Sequence, residues 1–310
     1  MTGRLLQLSG VIVDLIYDVV AVPKAGEEAS VTGFSISPGG GFNAMIAAKR
    51  AGMEVFYGGS IGTGPFAEIT KQGLSKAGID ALRSPVPTLD QGCSTVLVDA
   101  KGERTFIAME GADGHVTPED LSGIEHAQFD WALLSGYALH YAGSRAAFLG
   151  WLERGDAIPN LVFDPSPMVS EISRDLLEAA LNRAHWVSAN AQEATILTGE
   201  ADPVKSAAAL AARCPATGGA VVRTGAQGCV VATSQTIRQI APYTVTPIDT
   251  NGAGDAHLGS FIAQLSEGKD PFKAAAYANV AAALSTTKKG PATAPERAVV
   301  EAAMQGEAAI

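Results

Sequence analysis

From about residue 131 onward, short apolar runs alternate with amphipathic stretches of helical period, and this alternation constrains the fold more than any single motif. Strand-like runs cover 131–134, 161–163, 186–188 and 220–223, while Phe148, Leu149 and Leu152 share one helix face. Continuous apolar strands separated by helices predict an α/β fold whose mostly parallel sheet is covered on both faces. Ala274-Ala275-Ala276 and Ala281-Ala282-Ala283 allow close helix packing in the last third.

The first third reads differently. A buried strand over 5–13 ends at Asp14, and short strands over 17–22 and 29–36 flank a Pro23-Lys24-Ala25-Gly26 turn. Ser37-Pro38-Gly39-Gly40-Gly41 breaks the chain, a helix over 43–51 is ended by Gly52, a strand covers 55–61, and a helix over 67–77 is stopped by Gly78. Residues 93–99 and 104–109 form a hairpin across Ala100-Lys101-Gly102-Glu103. Segments 15–38 and 92–110 lack helices and read as an antiparallel patch set apart from a core of 1–14, 39–91 and 111–310.

The chain of 310 residues has length enough for a substantial core, and its 17% of charged residues suits a folded domain. A net charge of −10 argues against nucleic acid, whose phosphates need basic patches. Cys93, Cys214 and Cys229 show no metal spacing and read as reduced thiols packed in the core. The opening Met1-Thr2-Gly3-Arg4-Leu5 leads into an apolar run too short for a signal peptide, and no stretch suits a membrane span, so the cytoplasm is expected.

Asp249-Thr250-Asn251-Gly252-Ala253-Gly254-Asp255 carries the sharpest chemical signal. Its glycines let backbone N–H groups approach an anion where a loop becomes a helix. Asp255 would repel a bound phosphate as a ligand, but suits a base that takes a proton from a hydroxyl attacking that phosphate. The same pattern also reads as a plain turn with an acidic first-turn residue.

Other candidates each allow two readings. Asn190 and Glu193 form either a capping box or an amide–carboxylate pair for magnesium. The turn Arg223-Thr224-Gly225-Ala226-Gln227-Gly228 is a hairpin or a seat for a nucleotide, and Arg223 at the end of a buried strand needs an anion. Gly39-Gly40-Gly41-Phe42-Asn43 permits close approach of a polar ligand, or supplies a hinge and cap. Asp14 can accept two sugar hydroxyls, or cap nearby amides. Gly62-Thr63-Gly64-Pro65-Phe66-Ala67, with Asp80 beyond it, matches a dinucleotide fingerprint, although no strand ends cleanly at Asp80. Arg104 contacts an acidic or polyhydroxy substrate, or makes a surface ion pair. His257, His185 and His140 form no zinc constellation.

Taken in order, these motifs resemble the phosphofructokinase B, or ribokinase-like, family of carbohydrate kinases. Residues 249–255 are similar to its C-terminal signature, and Pro38-Gly39-Gly40-Gly41-Phe42-Asn43, with Ala47, Ala48 and Gly52, to its N-terminal one. Asn190-Ala191-Gln192-Glu193 resembles its N-x-x-E, 223–228 its strand-turn before the nucleotide, and Ala276-Tyr277-Ala278-Asn279 through Lys289-Gly290 its closing helix and loop. The resemblance implies a three-layer α/β/α core with a β lid formed by 15–38 and 92–110, and a reaction using ATP and Mg2+. It implies Asp255 as base, an anion hole at Gly252, Ala253 and Gly254, and sugar contacts from Asp14, Gly40, Gly41 and Asn43. It places Arg223, Gly225, Gly228 and Asn279 near the nucleotide, has Asn190 and Glu193 position metal and phosphate through water, with Glu193 toward Mg2+, and sets Asp249 with the Gly290 region on K+. A nucleoside acceptor stacked on Phe34 or Phe106, and a sensor without turnover, are the other readings. A homodimer through lid sheets is expected. The glycine stretch before Asn43 is one residue short, and Gly62-Thr63-Gly64 replaces a common Gly-Asp-Asp, which leaves the sugar open.

Overall fold

A computed structural model describes residues 3–155 and 160–306; Met1 and Thr2 of the leader reading lie outside them. In chain order, β1 (Arg4–Gln7) is followed by β2 (Val11–Val19), β3 (Val31–Gly40), α1 (Gly41–Arg50), β4 (Glu54–Tyr57), α2 (Pro65–Ala77) and β5 (Asp80–Ala81). Next come β6 (Cys93–Val98), β7 (Arg104–Met109), α3 (Pro118–Ser122), β8 (Trp131–Ser135), α4 (Gly136–His140), α5 (Arg145–Arg154), β9 (Asn160–Asp164) and α6 (Arg174–Arg183). The chain continues through β10 (Trp186–Asn190), α7 (Ala191–Thr198), α8 (Pro203–Ala211), β11 (Gly219–Arg223), β12 (Cys229–Thr233), β13 (Ile237–Ile240), α9 (Ala253–Ser266), α10 (Pro271–Ser285) and α11 (Arg297–Met304).

Nine strands form one sheet in the order β13-β12-β11-β10-β9-β8-β1-β4-β5. Its pairings are parallel from β5 to β11, and β12 and β13 add an antiparallel edge. The pleat divides the apolar strands between two cores. Leu5, Leu133, Val162, Trp186 and Val221 join residues of α1, α9 and α10, such as Met45, Phe261 and Ala278, on one face. Leu6, Leu134, Phe163, Val187 and Val222 join Phe148, Leu176 and Leu210 on the other. Among the described residues no helix is long and apolar enough to cross a membrane.

A second sheet, ordered β3-β2-β6-β7, is antiparallel except for the parallel β2–β6 pair. It overturns the single strand expected over 5–13. The chain leaves the large sheet after Gln7 and enters the small one at Val11. A Cβ on Gly10 would lie 2.9 Å from that of Asp113, while the Gly10 carbonyl accepts from the Gly41 N–H at 2.9 Å, so the crossing is tightly packed. An unbroken apolar run cannot reveal a change of sheet. Asp14 therefore stands inside β2, opposite Ser37, not at the end of the first strand. Nor does the Pro38 segment break the chain: β3 continues to Gly40, because an edge strand tolerates proline. The small sheet thus takes in Val11–Asp14 and Gly39–Gly40, beyond the expected 15–38.

Candidate active site

In the large sheet the strand order reverses direction between β1 and β8, and ligands of open α/β sheets gather outside the carboxyl ends of strands at such a point. Asp14, Asn43, Tyr137, Asp164, Arg223 and Asp255 are the ionisable and polar side chains linked to one another around that end.

Asp14 is buried, and its carboxyl is pushed up to about 6 by loss of water. Gly39 leaves room for it, since a Cβ there would overlap the Asp14 Oδ2 and push the carboxylate aside. Gly40 adopts φ 59° as the chain turns from β3 straight into α1, and a Cβ on Gly41 would meet the Gln7 Nε2 at 2.8 Å. Asn43 is the third residue of α1 and not its cap. Its Nδ2 donates to the Asp255 Oδ2 at 3.1 Å, and its buried Oδ1 has no partner among the described residues, which leaves an acceptor for a hydroxyl.

Gly252 opens α9 in the left-handed region at φ 72°, and Asp255 lies in the first turn, as expected. The N–H groups of Gly254 and Asp255 find no acceptor among the described residues, whereas Ala253 N–H makes a 3.3 Å bond to the Thr250 carbonyl. Such a helix start favours an anion. Asp255 is half-buried, and its carboxyl is pushed up to about 7, chiefly by desolvation, with Asn43 opposing and the Asp164 charge adding to the rise.

Arg223 finds its anions within the chain. Its Nη2 lies 3.1 Å from Asp164 Oδ2 and 3.6 Å from Glu193 Oε2, and its Nη1 donates to the Ser188 hydroxyl. A Cβ on Gly254 would stand 3.8 Å from its Nε, so the guanidinium borders the anion nest. Asn190 and Glu193 do form the capping box: the Asn190 N–H donates to Glu193 Oε2 at 2.7 Å and the Glu193 N–H to Asn190 Oδ1 at 2.8 Å. Burial and then the Asp164 charge push the Glu193 carboxyl up to about 6, against the pull of Arg223.

Gly225 and Gly228, at φ 60° and 87°, make the turn between the antiparallel β11 and β12. The turn tip is open, for a Cβ on Gly225 would meet nothing within 4 Å. Asn279 is buried behind it and donates to the carbonyls of Ile240 and Ala241 at 3.3 and 2.9 Å. His257 packs on Phe261, and burial pushes its imidazole down to about 3.

Arg104 and Asp249 are drawn together instead of facing separate ligands: the guanidinium pairs with Asp249 Oδ1. Asp249 also accepts from the Asn251 N–H and the Gly290 N–H, each at 2.9 Å. The dinucleotide fingerprint is spent on a protein carboxylate, because Asp90 accepts from the Phe66 and Ala67 N–H groups at 3.2 and 2.8 Å, and Asp80 is exposed.

Asp164, Ser188 and Tyr137 escape a reading of the sequence. Asp164 carried a usable signal, a carboxylate at the end of an apolar strand, like Arg223. Tyr137 carried none. Loss of water and then the negative charges of Asp255, Asp164, Glu193 and Asp14 push its phenol up to about 12, although 41% of the residue stays exposed.

A family profile described as pfkB family carbohydrate kinase matches residues 7–298. The chain is 28% identical to the ribokinase of Bacillus subtilis (strain 168) over 281 residues, covering 89% of this chain and 90% of that protein. It is 30% identical to a fructokinase of Klebsiella pneumoniae over 312 residues, 95% of this chain and 96% of that one. The crystal structure of a ribokinase from Thermotoga maritima superposes with a TM-score of 0.83 over 98% of this chain and all of its own, at 24% identity.

Proposed function

The chain belongs to the pfkB family of carbohydrate kinases and is a phosphotransferase acting on a hydroxyl group, and from that premise we propose that it transfers the terminal phosphoryl group of ATP to a hydroxyl of a small sugar or sugar derivative. The observation that carries this reading is the Asp255 carboxyl, held by Asn43 beside free helix-start amides and raised to about 7. A base with that affinity takes a proton readily near neutral pH.

Asp14 and the free Oδ1 of Asn43 bind acceptor hydroxyls, with Gly40 and Gly41 giving room. Asp255 removes the proton from the attacking hydroxyl. The free amides of Gly254 and Asp255 and the nearby Arg223 offset charge on the phosphoryl oxygens, with Gly252 shaping the nest and the Ala253 amide held by its bond to the Thr250 carbonyl. The exposed tip of the turn, Gly225–Gln227, closed by the buried Gly228, supports the nucleotide, and Asn279 shapes its floor from behind. The small sheet, with 15–38 and 92–110, acts as a lid that excludes water.

Asp164 and Glu193 share one arginine and so keep an excess negative charge at the strand ends, which fits magnesium held through water with phosphates as direct ligands. Magnesium supplies charge neutralisation of the phosphates when bound. A monovalent cation at Asp249 does not fit, because Arg104 already occupies Oδ1.

A nucleoside acceptor is the second reading, supported by Phe34 and Phe106, which are 56% and 59% exposed on the small sheet. Exposed Ile107 and Met109 on the same sheet support pairing with a second copy, and the cytoplasm remains the proposed compartment. The test is a panel of sugars and nucleosides with ATP and magnesium, read by mass spectrometry. A gain of one phosphate on a sugar supports the first reading. A gain on nucleosides alone supports the second. No phosphorylated product across the panel rejects both and favours a binding protein.

A further inference from the structure

Asp249 begins the loop that ends in the anion nest, yet its carboxylate is bound from the small sheet. Both lone-pair directions of its Oδ1 are taken, one by the Asn251 N–H and one by Arg104, while Oδ2 accepts from Gly290. Arg104 is the first residue of β7, separated from Asp249 by 145 positions. The pair is largely shielded, with side-chain exposures of 22% and 16%. A second ion pair runs between the same two regions, from Lys289, next to Gly290, to Asp18 on β2. A further cation on Asp249 would face the guanidinium at contact range, and like charges repel strongly where water is scarce.

We propose that Arg104 is a built-in cation: its guanidinium takes the place of a free monovalent ion on Asp249 and acts as a positioning residue for the anion nest. The inference rests on the kinase reading of the site and deepens it. Asp249 holds the Asn251 N–H one position before Gly252, so whatever neutralises Asp249 also steadies the nest. Because the neutralising charge comes from the small sheet, the nest is complete only while that sheet is down. Lid closure over the acceptor and readiness for phosphoryl transfer are thereby linked, which limits loss of ATP to water.

The test compares the unaltered protein, Arg104→Gln and Arg104→Lys in potassium chloride and in tetramethylammonium chloride at equal ionic strength. Tetramethylammonium is too large to enter a carboxylate site. Turnover of the unaltered protein and of R104K is expected to be the same in both salts. R104Q is expected to lose about tenfold or more in tetramethylammonium, since removing one partner strands a shielded charge, and to recover most of it in potassium. The thermal midpoint of each protein without ATP or acceptor gives a second readout: only R104Q gains a potassium-specific rise. That readout needs no reaction, so it holds or fails separately from the kinase reading. Strong activation or stabilisation of the unaltered protein by potassium overturns the proposal. So does an R104Q protein indifferent to salt, and so does a loss in R104Q that potassium leaves unrestored.

Discussion

Asn43 and Asp255, 212 positions apart, meet through a 3.1 Å hydrogen bond from the Asn43 Nδ2 to the Asp255 Oδ2. The bond joins the start of α1 to the start of α9 and orients the carboxylate. It also opposes the desolvation that raises the Asp255 affinity for protons, leaving it near 7.

Asp255→Asn is expected to lower turnover about 10²- to 10⁴-fold, the usual share of a general base, with ADP affinity unchanged by calorimetry. The unaltered protein should gain kcat/KM as pH rises through about 7, because only the ionised carboxylate accepts the proton. Near-normal turnover in the variant would remove Asp255 from the chemistry.

The same substitution should raise stability at alkaline pH. Between its ordinary 3.8 and about 7, the Asp255 carboxyl binds more protons folded than unfolded, so stability falls as pH rises through that window. Replacing it removes the burden of a desolvated charge, and urea unfolding should show a gain of ~1–3 kcal/mol at pH 8 that shrinks toward pH 5. An equal effect at both pH values would contradict the shift.

Arg223→Gln leaves Asp164 and Glu193 facing each other without a counter-charge. A loss of about 2–4 kcal/mol is expected in chemical denaturation, the penalty for stranding partly buried charges. Arg223→Lys should restore part of it. If Gln is tolerated without loss, the cluster is better solvated than its exposure indicates.

Gly39→Ala tests the acceptor side by sterics alone. The new Cβ would overlap the Asp14 carboxylate, which must swing away. KM for the acceptor should rise about tenfold or more while KM for ATP holds, as expected for a misplaced binding group. An unchanged acceptor KM would place Asp14 outside the binding site.

Signals in the sequence are legible where the physics is local. Gly78 ends α2 in the left-handed region, Asn190 and Glu193 close a capping box, and β6 and β7 pair across their turn. Each depends on residues within a few positions. The split between β1 and β2 was invisible, since Leu5 and Val13 are equally apolar and sheet membership is decided by distant partners. Arg223 was expected to seek an anion, but Asp164, 59 positions away, is supplied only by strand order.

Composition, alternation and glycine placement thus determined the α/β class and the helix start at Gly252 with an acidic residue in its first turn, because backbone freedom and periodicity act over a few residues. Tertiary structure alone decided what each charge meets: Asn43 on Asp255, Asp164 on Arg223, and Arg104 on Asp249. Coulomb and hydrogen-bond energies depend on distance in space, and the folding of two sheets against one another, not separation along the chain, sets those distances.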